Sequence, residues 1–139
     1  MTHINEEICV PIKSDADIVV ARQKGRALAI QLGFSGSEPT VIAAAISEVA
    51  RNIVSYAKEG EIALQGVRIN GHQSLQVVAR DAGPGIADIE QAMQFGYSSN
   101  CGIGAGLPGA KLLMDEFDIQ SEVGKGTRVT MRKWVHSNV

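Results

Sequence analysis

The chain has 139 residues, enough for one domain with a complete core, and at 45% hydrophobic and 20% charged residues its composition is globular, not disordered. A formal net charge of -2 gives no basic footprint for nucleic acid or anionic lipid, and the longest apolar runs, such as 41–46, are far too short to cross a bilayer. No positively charged segment leads an apolar stretch near the N-terminus, so no secretion signal is expected and the cytoplasm is the expected location.

Residues 7–13 alternate around Ile8, Val10 and Ile12, a strand signal. Ser14 and Asp17 then form a capping-box pattern that opens a helix carrying Ile18, Val19, Ala21, Leu28 and Leu32, with Gly33 as its stop. Gly25 in the middle of that helix marks close packing against a neighbour. A second start signal, Ser37-Glu38-Pro39, precedes residues 40–57, which are apolar almost all round. Such a helix is mostly buried, so a charged or amide side chain on it needs a reason.

Residues 61–69 and 74–80 read as two strands joined by an Asn70-Gly71 hairpin turn. A short helix is expected over 86–95, a loop of small polar residues over 96–104, and a helix over 105–117 with Pro108 in its first turn. Two strands, 117–123 and 127–135, joined by Gly124-Lys125-Gly126, close the chain. The order β-α-α-β-β-α-α-β-β predicts a single domain over 1–139. Its expected architecture is a two-layer α/β (α+β) sandwich, a mixed and mainly antiparallel sheet covered on one face by helices.

Cys9 and Cys101 have no Cys-x-x-Cys spacing and read as free thiols, while His3, His72 and His136 flank no nucleophile or metal cluster. The chemistry lies elsewhere. Glu48 and Asn52 are four residues apart and share one helix face. A carboxylate and a carboxamide on a buried helix are costly unless they line a cavity or find partners. The plain reading is a Glu48–Arg51 contact; the functional one makes Glu48 a general base and Asn52 a neutral oxygen ligand for Mg²⁺.

Asp81 ends an apolar strand and opens Asp81-Ala82-Gly83-Pro84-Gly85. It reads either as a turn built around its side chain or as an acceptor for the amine of adenine, with Gly83 and Gly85 letting backbone approach the ring. Gly102, Gly104 and Gly106 precede Leu107-Pro108, and glycine-rich amides at a helix start cradle phosphate. The same stretch, Gly104-x-Gly106-x-x-Gly109, matches a dinucleotide fingerprint. No strand precedes it, however, and only 30 residues follow, too few for a doubly wound sheet. Gly124-Lys125-Gly126-Thr127 is a hairpin that can bring Thr127 near the base.

Together these boxes resemble the GHKL superfamily, which joins gyrase B, MutL, heat-shock chaperones, histidine kinases and small serine kinases on the Bergerat ATP-binding fold. That resemblance makes Glu48 and Asn52 the N box and Asp81, Gly83 and Gly85 the adenine box. Gly102, Gly104, Ala105, Gly106 and Leu107 form the base of the phosphate lid, and Gly124, Gly126 and Thr127 the last box. Within these 139 residues neither the dimerisation helices of histidine kinases nor the transducer domain of gyrase-like ATPases is expected. The chain looks like the anti-sigma-factor type of serine kinase. The stretches 104–117 (GAGLPGAKLLMDEF) and 21–26 (ARQKGR), with Lys133-Trp134, resemble the stressosome switch kinases within that type.

The resemblance implies ATP and Mg²⁺ as cofactors and transfer to a serine or threonine of a STAS-domain scaffold or antagonist protein. On release, such a kinase binds and activates a serine phosphatase in general stress signalling. Arg51 or Lys111 adds positive charge near the phosphates or faces solvent. The alternatives are an anti-sigma factor that sequesters a sigma subunit and phosphorylates its antagonist, and a plain ATPase in which Glu48 activates water.

Overall fold

A computed structural model describes residues 2–86, 89, 93 and 106–136. Helices α1 (Asp15–Leu32), α2 (Glu38–Asn52) and α3 (Gly106–Leu113) lie on one face of a six-stranded sheet. The strands are β1 (Thr2–His3), β2 (Ile8–Ile12), β3 (Gly60–Ile69), β4 (His72–Asp81), β5 (Glu116–Glu122) and β6 (Gly126–Trp134). Their order is β1-β3-β4-β6-β5, with β2 also paired to β3. Every pairing among the described residues is antiparallel.

Pairing places residues in rungs that share a face. Leu64 lies opposite Val77 and Val77 opposite Met131, and the next rung is Ile62, Ala79 and Val129. All six are buried, against Leu28, Ile42, Ile46, Val49 and Ile53 from the helices. Each Leu or Ile buried this way contributes about 1.5–3 kcal/mol. Gly25 does mark a close approach: a Cβ there would collide with Ile46 Cδ1 of α2. Gly33 (φ 101°) ends α1 in a Schellman motif, with Phe34 N donating to Ala29 O and Gly33 N to Ile30 O, each at 3.1 Å. Asn70 (φ 52°) and Gly71 (φ 81°) make the expected hairpin turn.

Several local expectations change. The capping box does not form: Asp17 Oδ2 accepts from Lys13 N at 2.9 Å, one residue before the cap, and the Ser14 hydroxyl makes no cap bond. The Ser14 hydroxyl lies 3.4 Å from that same carboxylate oxygen, which draws it away from the helix amides. The helix over 40–57 is α-helical only to Asn52 and continues as a π-helix, Ile53–Ala57. There Lys58 N donates to Ile53 O at 2.9 Å and Lys58 turns out at φ 72°. Helix α3 stops at Leu113, short of 117, because Asp115 N and Glu116 are already paired to Arg132 of β6.

Strand β1 was not foreseen; two exposed polar residues carry no alternation to read. Of the short helix expected over 86–95 only Ile86, Ile89 and Met93 are described, with a helical bond from Met93 N to Ile89 O at 3.0 Å. The loop over 96–104 and Cys101 lie outside the described residues. Cys9 is a free, exposed thiol that donates to Glu7 Oε1 at 3.2 Å. None of the described helices is long and apolar enough to cross a membrane.

Candidate active site

Helix α2 is greasy enough to be buried on most of its surface, and its last turns bring two polar side chains to one end of the helix layer. Glu48 is 15% exposed. Its Oε1 accepts from Arg51 Nη1 at 2.8 Å and its Oε2 accepts from Gly106 N at 2.8 Å. The plain Glu48–Arg51 contact therefore exists, and the same carboxylate also reaches the glycine stretch 58 residues away. Gly106 N is the first amide of α3, one of the donors a helix leaves unpaired at its positive end. Pro108 has no N–H, so beyond Gly106 the first turn of α3 has the amide of Leu107 to offer an anion.

One turn on from Glu48, Asn52 is half-buried, and its carboxamide makes no hydrogen bond among the described residues. Among the described residues no group of three or more His, Cys, Asp or Glu gathers to hold a metal. A cation beside Asn52 would therefore rest on that one amide oxygen, water and phosphate. Such a sparse set fits Mg²⁺, which keeps several waters and takes few protein ligands.

The expected base end is built on a single rung. Asp81 of β4 lies opposite Thr127 of β6, and Thr127 opposite Ser121 of β5. Two residues along each strand stand Ala79, Val129 and Ile119 of the helix-covered face, so this rung shares that face. Asp81 Oδ1 accepts from Gly83 N at 2.9 Å and from Thr127 N at 3.3 Å. Its Oδ2 has no protein partner among the described residues and is a spare acceptor. The turn reading of Asp81 holds: one oxygen builds the turn, and the other is left over.

The glycines around Asp81 are hemmed in by protein. A Cβ at Gly83 would lie 2.6 Å from Ala57 Cβ, at the end of the π-helix. At Gly85 (φ 77°) it would strike Glu122 O, and at Gly126 (φ 109°) Asp81 O. The wider π turn seats Ala57 on the Asp81 loop, and the β5–β6 turn is tied to that loop by Gly124 N donating to Pro84 O at 2.9 Å.

Among the described site residues the structure brings Glu48 to Gly106 and Asp81 to Thr127, with Leu107 buried in the first turn of α3. Gly102, Gly104 and Ala105 lie outside the described residues. Lys111 is exposed on α3 and has no ion pair among the described residues. Ser47 is buried and its hydroxyl donates to Ala43 O at 2.9 Å. Ser121 was missed. In Phe117, Ile119, Ser121 the alternation puts a hydroxyl where a core residue is due, and that was the available signal.

The histidine kinase-like ATPase domain family matches residues 13–133, the span that contains every one of these groups. The chain belongs to that family. It is an ATP-using domain of the kind the four boxes resemble. Among curated relatives, the serine/threonine-protein kinase RsbT of Bacillus subtilis is 47% identical over 132 residues, covering 95% of this chain and 99% of the relative. The anti-sigma F factor of Caldanaerobacter subterraneus is 32% identical over 124 residues, covering 85% of each. Two solved structures share the fold. One holds the RsbU and RsbW domains of a Mycobacterium tuberculosis protein, with TM-score 0.61 and 19% identity over 96% of this chain and 34% of that one. The other is the SiaB-SiaC complex of Pseudomonas aeruginosa, with TM-score 0.53 and 14% identity over 92% and 89%.

Proposed function

We propose that the protein is an ATP-dependent protein serine/threonine kinase. Its acceptor is a STAS-domain scaffold or antagonist protein, and on release from that complex it binds and activates a serine phosphatase in a sigma-factor stress cascade, in the cytoplasm. The carrying observation is the Glu48 carboxylate bonded to the first amide of α3. It supports a proton acceptor at the helix end where a triphosphate would be held, within a chain 47% identical to a named serine/threonine kinase.

Phosphoryl transfer asks a protein for positioning and charge stabilisation. Asp81 Oδ2 accepts from the adenine amine, and Thr127 stands beside it. The backbone at Gly102, Gly104, Ala105, Gly106 and Leu107 holds the phosphates. Asn52 would hold Mg²⁺, which when bound offsets charge on the phosphates. Glu48 accepts the proton of the incoming serine or threonine hydroxyl, and Arg51 holds that carboxylate by its Oε1. Each carboxylate oxygen has two lone pairs, so both existing bonds leave room for the proton.

The test is incubation with labelled ATP, Mg²⁺ and a STAS-domain protein encoded nearby, followed by mass spectrometry. Phosphate on a serine or threonine of the acceptor is expected; an unmodified acceptor with steady phosphate release would instead indicate an ATPase. A second reading, an anti-sigma factor that sequesters a sigma subunit and phosphorylates its antagonist, is favoured by the relatives bearing that name at 32–33% identity. Sigma subunit recovered on the immobilised protein would promote it.

A further inference from the structure

We propose that Glu48 plugs the start of α3 and that a nucleotide phosphate must displace it, so that loading the site and freeing the base are one event. This rests on the reading of that turn as the phosphate end of the site and of Glu48 as the base. The first turn of α3 leaves the N–H groups of Gly106 and Leu107 without partners inside the helix, and Pro108 has none to offer. One of those two is taken. Gly106 N donates to Glu48 Oε2 at 2.8 Å, across 58 residues of chain. The Glu48 side chain is only 15% exposed, and Arg51 Nη1 holds its other oxygen at 2.8 Å.

A helix N-terminus draws anions because its free amides and its dipole both favour negative charge. A carboxylate oxygen and a phosphate oxygen are therefore rivals for the same donor. Gly106 N carries a single hydrogen, and two anions drawn to it also repel one another. A phosphate arriving there releases Oε2, while Arg51 keeps its hold on Oε1 and stops the side chain from swinging away. Both lone pairs of the released oxygen can then face the hydroxyl of an acceptor. While Glu48 holds Gly106, that oxygen is engaged by backbone and the amide is closed to other anions.

Calorimetric titration of the full chain and of Glu48→Ala, with ATP and Mg²⁺ and separately with adenosine, tests this. Glu48→Ala is expected to bind ATP about tenfold more tightly than the parent, the low end for a hydrogen bond to a charged group. Adenosine, which has no phosphate to compete, is expected to bind both chains alike. In proton–nitrogen NMR spectra recorded without nucleotide, the Gly106 amide proton is expected to lie downfield in the parent and to move upfield in Glu48→Ala. Unchanged or weaker ATP binding by Glu48→Ala would overturn the proposal, and so would an equal gain for adenosine. Tighter ATP binding with an unmoved Gly106 resonance would also overturn it, since charge repulsion alone would then account for the gain. If the parent binds neither ATP nor adenosine, the nucleotide site itself is refuted and the plug with it, an outcome distinct from ATP bound equally by both chains.

Discussion

Glu48 has both carboxylate oxygens in hydrogen bonds, one to Arg51 on its own helix and one to the first amide of α3. A base held at two points is pre-oriented, and removing it leaves the base end of the site intact. Glu48→Ala is therefore expected to keep ATP binding by calorimetry while phosphoryl transfer falls about 10²- to 10⁴-fold, the usual share of a general base; a variant as active as the parent removes Glu48 from that role. Asp81 separates the same two questions differently. In Asp81→Asn the amide oxygen can still accept from Gly83 N and Thr127 N, so melting should hardly change, whereas the amide NH₂ now faces the adenine amine as donor against donor. ATP affinity is expected to fall at least about tenfold. Unchanged affinity would place the base elsewhere. At this scale the sequence was legible where chemistry is local: Glu48 and Asn52 share a face because a helix repeats every four residues. The bond from Glu48 to Gly106 was not legible, since no local pattern encodes a contact across 58 residues.

The elements follow from patterns of the chain with one systematic failure, at their ends. Alternation found β2 to β6, and apolar periodicity found α1, α2 and α3. The junctions moved wherever a tertiary bond outweighed a local signal. The capping box yielded to the Asp17–Lys13 bond, α3 gave its last residues to the β5–β6 pairing, and α2 widened into a π turn that sets Ala57 on Gly83. π turns are rare and cluster at functional sites, and this one links α2 to the Asp81 loop. That joint is sensitive to bulk. Gly85→Ala adds a Cβ at φ 77° against the Glu122 backbone, where neither side is a flexible side chain. The expected loss is about 1–3 kcal/mol, seen as a lower melting temperature with ATP affinity reduced in parallel. A variant as stable as the parent would show that the loop and the β5–β6 turn do not press on one another.

As a whole molecule, the protein is an antiparallel sheet with a helix layer on one face; α2 meets α3 through Glu48, the π turn after α2 meets the Asp81 loop, and that loop meets the β5–β6 turn. A ligand bridging all four elements stabilises the folded state as a unit. ATP with Mg²⁺ at one hundred times its dissociation constant is expected to add about 2.7 kcal/mol, and to raise the melting temperature by several degrees. No shift at millimolar ATP would count against a site spanning these elements. The amino-acid sequence by itself determined the fold class and the order of the elements from β2 onward, and singled out Glu48, Asn52, Asp81 and Thr127 as candidates, because periodicity and turn chemistry act over a few residues. Only the tertiary structure decided that Glu48 meets the start of α3, that Asp81 keeps one oxygen spare, and that Ser121 joins the rung. Those outcomes depend on strand register and helix packing, which bring together residues far apart in the chain and are settled by the burial of the whole core.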